Sequence, residues 1–150
     1  MKIERLDVAA YRVPTEEPES DGTLTWTATT AVVVEVTAGG KTGIGWTYGS
    51  PACVALVREE LEAAVVGADA LDVPRVSQEM QVAVRNVGRP GPTSMAMAAA
   101  DLALWDLKAR LLELPLVQLL GQVHDEVAVY GSGGFTSLTD DELAAQLVGW

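Results

Sequence analysis

Residues 92–121 read PTSMAMAAADLALWDLKARLLELPLVQLLG, and the fold turns on them. Gly91-Pro92 is a turn signal with proline at a first helical position, and Pro115 is a stop. The stretch between them predicts one long helix over residues 93–112. Met95, Ala98, Leu102, Trp105, Ala109 and Leu112 recur at spacings of three and four, which predicts an apolar stripe on one face. Ser94, Asp101 and Lys108 stand seven apart as a polar ridge. The alanines let a neighbouring backbone approach closely.

Upstream the pattern is that of strands. Residues 2–13 mix β-branched and apolar types with charges and predict a strand. Residues 14–23, PTEEPESDGT, carry two prolines, a glycine and four carboxylates, which predicts a loop. LTWTATTAVVVEV (24–36) predicts a long strand, and Gly39-Gly40 supplies the positive-φ pair of a hairpin. TGIGWTY (42–48) returns as a third strand, with Gly43 and Gly45 marking a bulge or a close backbone approach. The result is a three-stranded antiparallel meander. Helices follow over residues 52–66, with Val57, Leu61, Ala64 and Val65 on one side and Arg58 and Glu62 as an exposed pair. Another begins after Asp72, a capping residue, with Pro74 in its first turn. Beyond Gly121, Val127, Ala128, Val129 and Tyr130 predict a short strand, and Gly131-Ser132-Gly133-Gly134 a tight turn. Thr139-Asp140-Asp141-Glu142 predicts a capping box opening a final helix.

Composition narrows the classes of function. At 150 residues with 49% hydrophobic content, the chain is long and apolar enough for a folded domain. A net charge of −11, with its ten Lys and Arg scattered singly, excludes a nucleic-acid partner and disfavours anionic membranes. No run approaches the roughly 18 apolar residues of a membrane span. The N-terminus MKIERLDVAAYRVP lacks the unbroken apolar core of a signal peptide. Cys53 is the single cysteine and forms no internal disulfide, so a cytoplasmic setting is expected. It reads as a thiol near a helix start, since the one histidine, His124, lies about 70 residues away.

The wording of the long helix is more specific than its periodicity. Asp101, Ala103, Leu104, Trp105, Asp106, Leu107, Lys108, Pro115, Leu119, Leu120 and Gly121 resemble the helix that leads into the barrel of the enolase superfamily, in its mandelate racemase and muconate lactonizing branch. The resemblance implies an α+β capping domain over residues 1–121. It also implies that residues 122–150 are the first strand and helix of a (β/α) barrel, which is incomplete here because a whole barrel takes about 250 residues. It implies Mg²⁺-dependent proton abstraction next to the carboxylate of a small acid, in a homo-oligomer. Because YGSGGF resembles the acid-sugar branch, dehydration of an acid sugar is favoured, with racemisation or cycloisomerisation as the runner-up. A non-catalytic α+β binding or assembly module is the reading from another class.

That chemistry needs a base near the substrate α-carbon and an oxygen-rich metal cage. The family carries lysine bases on the second barrel strand and metal carboxylates on the third to fifth, all beyond Trp150. No catalytic residue and no metal ligand is therefore assigned within this chain, which by itself is expected to be inactive and to bind no Mg²⁺. His124-Asp125-Glu126 reads as a solvated linker, because side chains of an extended segment alternate in direction. Asp101 and Asp106 lie five apart, roughly 140° around a helix axis, and do not converge. Asp106 is expected to meet Arg110, and Asp101 a neighbouring backbone or side chain. Asp140, Asp141 and Glu142 suit a helix N-terminus. In the resembled family the loops after the first and third strands form a lid over the substrate. They correspond here to residues 14–27 and 46–52, and make Leu24, Trp26, Trp46 and Tyr48 the lid candidates, against the alternative that the aromatics pack in the core. Residues 14–25 are expected to be loosely packed, with the carboxylates at 16–21 on the lid's outer face.

Overall fold

The computed structural model describes residues 1–149. Its elements are β1 (Arg5–Ser20), β2 (Thr25–Ala38), β3 (Lys41–Tyr48), α1 (Ala52–Leu56), a π-helical turn (Val57–Leu61), α2 (Glu62–Val65), α3 (Val73–Ala83), α4 (Pro92–Leu111), α5 (Leu116–Leu120) and α6 (Asp140–Val148). The chain divides into two compact units. One contains Met1–Tyr11 and Thr30–Gly121; the other contains Arg12–Thr29 and Gln122–Trp150.

In the first unit the sheet order is β1-β2-β3, the meander the sequence predicts. β2 and β3 pair antiparallel from Ala31↔Tyr48 to Ala38↔Lys41. Gly39 and Gly40 close the hairpin with φ of 55° and 72°, the backbone of a two-residue turn that matches strand twist. Val32, Val34, Val36 and Ala38 alternate inward along β2 and are fully buried. Leu6 and Val8 join them from β1. Residues 2–3 precede the sheet: Lys2 bridges to Asp69, and Ile3 exchanges backbone hydrogen bonds with Gly67 and Ala68, while the Glu4 amide donates to the Thr37 carbonyl of β2 at 2.8 Å and leads into β1.

The helical layer covers the inner face. Cys53, Val57, Leu61 and Val65 are all fully buried, one every four residues. An α-helix turns about 400° in four residues, so this repeat drifts about 40° per step off one face. The π turn at Val57–Leu61 widens the coil and absorbs the drift. Arg58 is not paired with Glu62 as predicted; its Nη2 donates to the Val8 carbonyl at 3.2 Å, because the widened turn changes the four-residue register. Asp72 stands at the N-cap of α3, but its side chain makes no capping bond.

α4 has the predicted extent, one residue earlier at each end, but the opposite face is buried. Thr93, Ala96, Met97, Ala99, Ala100, Ala103, Leu104, Leu107 and Ala109 are buried. Of the predicted stripe only Ala109 is among them, with Trp105 half-buried against the core; Met95, Leu102 and Leu112 are exposed. The cause is β3. A Cβ on Gly43 would overlap the Ala103 carbonyl and the Leu107 amide, and one on Gly45 the Ala99 carbonyl. The two glycines leave a groove into which the alanine side of α4 settles, as close as backbone to backbone. Among the described residues no helix is long and apolar enough to cross a membrane.

In the second unit two predictions fail. Residues 14–20 are not a loop but the end of β1. Pro14 and Pro18 are tolerated there because β1 is a sheet edge, where a missing N–H breaks no ladder bond. Residues 127–130 form no strand, and Val129 is 91% exposed. An extended segment becomes a strand only when a ladder partner takes up its N–H and C=O groups, and the described residues offer none. The Thr139 capping box forms as predicted and starts α6.

Candidate functional site

The β1–β2 connection is a hydrogen-bonded turn. The Asp21 amide donates to the Leu24 carbonyl at 3.2 Å. Asp21 Oδ1 in turn accepts the Thr23 amide and hydroxyl, each at 2.8 Å, and the Leu24 amide at 2.9 Å. The Leu24 and Thr23 amides, then the Thr23 hydroxyl, hold the Asp21 carboxyl below the ordinary aspartate range. The sequence thus builds an Asx-type turn where it had read as a loose loop. Leu24 stands on it 69% exposed.

Trp26 sits two residues on and is half-buried. Its indole N–H donates to Glu19 Oε2 at 2.6 Å across the hairpin. Its ring meets Phe135 edge-on, with centroids 5.7 Å apart and planes at 87°. Thr136 binds the end of β1: its amide donates to the Ser20 carbonyl at 2.9 Å and its hydroxyl to the same carbonyl at 3.1 Å. The Ser20 and Thr136 hydroxyls are 2.7 Å apart. Of the carboxylates expected on the outer face, Glu16, Glu17 and Asp21 are exposed, whereas Glu19 is half-buried and held by Trp26. Thr136 and Ser20 escaped the sequence reading, which took Glu19 only as one of the outer-face carboxylates and Phe135 only as the end of YGSGGF. The one available signal was Phe135, the chain's only phenylalanine, within a glycine-rich polar stretch.

Trp46 and Tyr48 belong to the first unit. They lie two apart on the outer face of β3, 61% and 66% exposed, in one row with Ile44. Neither packs in the core. The remaining sequence candidates do not assemble a reaction centre. Asp106 accepts from Arg110 Nε at 2.8 Å, as predicted, and also from the Ile44 amide. Among the described residues the Asp101 side chain makes no hydrogen bond. His124, Asp125 and Glu126 are exposed. No group of three His, Cys, Asp or Glu among the described residues is placed to hold a metal ion, so the residues present do not fit a Mg²⁺ cage. Cys53 is buried, its Sγ 3.5 Å from the Pro92 carbonyl, and burial raises its thiol pKa.

A meander whose glycines seat an alanine-rich helix, followed by Pro115 and the Leu119-Leu120-Gly121 stop, is thus in place. The sequence profile of the mandelate racemase / muconate lactonizing enzyme N-terminal domain matches residues 5–121. The chain belongs to the mandelate racemase / muconate lactonizing enzyme family. It is similar to the 3,6-anhydro-alpha-L-galactonate cycloisomerase of Streptomyces coelicolor, 32% identical over 87% of this chain and 38% of that protein. Among solved structures it resembles a mandelate racemase/muconate lactonizing enzyme-like protein from Rubrobacter xylanophilus, with a TM-score of 0.97 and 53% identity over 100% of this chain and 42% of that one. It also resembles the L-talarate dehydratase of Polaromonas sp. JS666 complexed with Mg and L-glucarate, with a TM-score of 0.86 and 32% identity over 99% of this chain and 43% of that one. The chain thus spans about two fifths of the length of these relatives. The mandelate racemase / muconate lactonizing family is a branch of the enolase superfamily, and its members among the relatives are enzymes.

Proposed function

We propose that this chain is the capping portion of a Mg²⁺-dependent enzyme that abstracts the proton α to a carboxylate, and that the reaction is dehydration of an acid sugar. The observation that carries this reading is its similarity to a dehydratase whose structure holds Mg and L-glucarate. We assign no base and no cation cage to residues 1–149, and so no chemical step. Their part is specificity. The arm Arg12–Thr29 is the substrate lid, its hydrogen-bonded turn presenting Leu24, with Trp26 behind it. Trp46 and Tyr48 are the second group of candidates: large apolar side chains left uncovered on β3 suit contact with the non-reacting part of a substrate and exclusion of water. A cytoplasmic homo-oligomer completes the reading.

A second reading, cycloisomerisation, is supported by the similarity to the galactonate cycloisomerase. The two separate in one experiment. The polypeptide encoded by the gene is assayed with Mg²⁺ on a panel of acid sugars, following both keto-acid formation and isomer exchange. Dehydration of one or more sugars is expected. Isomer exchange alone supports the second reading, and no turnover of any kind overturns both. The 150-residue chain by itself is expected to show neither turnover nor micromolar Mg²⁺ binding in a calorimetric titration.

A further inference from the structure

We propose that Phe135 and Thr136 are positioning residues for the arm Arg12–Thr29: they clamp its two strands and fix where the turn at residues 21–24 presents Leu24. This rests on the reading of the arm as a substrate lid, and it assigns Leu24, rather than Trp26, to the substrate.

The arm needs such a clamp. β3 pairs with β2 only from Ala31 onward, so towards the turn the hairpin has two strands. Two strands alone are marginal in water. No residue of Arg12–Thr29 is fully buried, and Glu16, Glu17 and Glu19 on β1, with Asp21 in the turn, crowd negative charge on one side of the hairpin. What holds it comes from a segment 116 residues away in sequence. Thr136 adds itself to the end of β1 by giving its amide and hydroxyl to the Ser20 carbonyl. Phe135, next in line, makes a T-shaped ring contact with Trp26 of the opposite strand. One dipeptide thus grips both strands of the arm at once. Trp26 is committed on two sides, its N–H to Glu19 and its ring to Phe135. Leu24, 69% exposed on a turn closed by Asp21, is the most exposed large apolar group of the arm, ahead of Val13 at 49%, and stands at its tip free to meet a ligand.

Hydrogen exchange on the purified chain, read by NMR, tests the clamp without any substrate. The probes are the Trp26 indole N–H and the Thr23 and Leu24 amides, with the amides of Val32, Val34 and Val36 as internal reference. Phe135→Ala and Thr136→Val are each expected to speed exchange at the arm by about tenfold or more, leaving the reference amides within about twofold. Thr136→Ser, which keeps the hydroxyl, is expected to restore wild-type exchange. Unchanged exchange at the arm in both variants would overturn the proposal, and so would equal acceleration at arm and reference, which marks general destabilisation. If Phe135→Ala disrupts its whole segment, seen as loss of the α6 amides, the Thr136→Val and Thr136→Ser pair decides alone. A failed turnover assay sinks the lid reading and leaves the clamp standing; unchanged exchange does the reverse.

Discussion

The Ile44 amide, on the free edge of β3, donates to Asp106 Oδ2 of α4 at 2.8 Å. The same oxygen accepts from Arg110 Nε at 2.8 Å, so one carboxylate ties the sheet edge to the helix and is itself held by the helix. On the other edge Arg58 gives Nη2 to the Val8 carbonyl of β1. Helix side chains thus occupy main-chain groups on both edges that would otherwise template another strand.

Removing this tie is expected to destabilise the first unit. Asp106→Ala leaves the Ile44 amide without its charged acceptor, and a loss of about 1–2 kcal/mol is expected in urea unfolding. Arg110→Ala removes a half-exposed ion pair only and is expected to cost less than about 0.5 kcal/mol. Equal effects from the two would show that the carboxylate's bond to the strand contributes little.

The glycines of β3 are expected to be the least replaceable residues of the sheet. Gly45→Ala places a methyl on the Ala99 carbonyl, where only backbone can give way. A cost of about 3 kcal/mol or more, or failure to fold, is expected. Gly22→Ala meets no atom but falls at φ 96°, so it is expected to loosen the arm and leave the core melting unchanged.

The buried face of α4 separates two leucines that sequence periodicity does not. Leu104 is fully buried and Leu102 is 39% exposed. Leu104→Ala is expected to cost about 3 kcal/mol through lost burial and a residual cavity. Leu102→Ala is expected to cost less than about 1 kcal/mol. The reverse order would restore the stripe the sequence suggested.

α4 ends in a Schellman turn with an unfavourable residue at its left-handed position. The Leu114 amide bonds the Ala109 carbonyl at 3.0 Å and the Glu113 amide the Arg110 carbonyl at 3.3 Å, with Glu113 at φ 55°. Glu113→Gly relieves that conformation and is expected to stabilise by about 0.5–1 kcal/mol. The Lys41 contact it forfeits is 4.0 Å long and exposed. A lower urea midpoint in this variant would contradict the assignment.

Acid is expected to fray α6. Glu142 Oε2 accepts the Thr139 amide and hydroxyl at 2.8 Å each, and these bonds hold its carboxyl below the ordinary 4.5. A carboxylate with a lowered folded pKa stabilises fully above its unfolded pKa and loses that contribution as pH falls through the folded one. Helical chemical shifts at Leu143 and Ala144 should therefore be constant at neutral pH and fall only as the pH drops below the ordinary glutamate range. In Glu142→Gln that step should vanish. A transition near neutrality would exclude Glu142 as its source.

What the sequence by itself determined are the features set within a few residues of chain. Gly39-Gly40 reads as a turn of positive φ; Pro92 and the Pro115 stop bound α4; Thr139 with Glu142 caps α6. The family wording of residues 101–121 belongs with these, since it was read directly as a string. The tertiary structure decided everything that needed a partner. Periodicity pointed to the stripe of Met95, Leu102 and Leu112, but the groove at Gly43 and Gly45 takes the alanine face opposite it. Residues 14–20 look like loop until β1 becomes an edge strand that tolerates Pro14 and Pro18. Val127 to Tyr130 look like a strand but find no ladder partner among the described residues. Thr136 reaches Ser20 across 116 residues. Caps and turns are settled by local sterics and hydrogen bonds, whereas faces, edges and clamps follow from surfaces that meet only when the chain has folded.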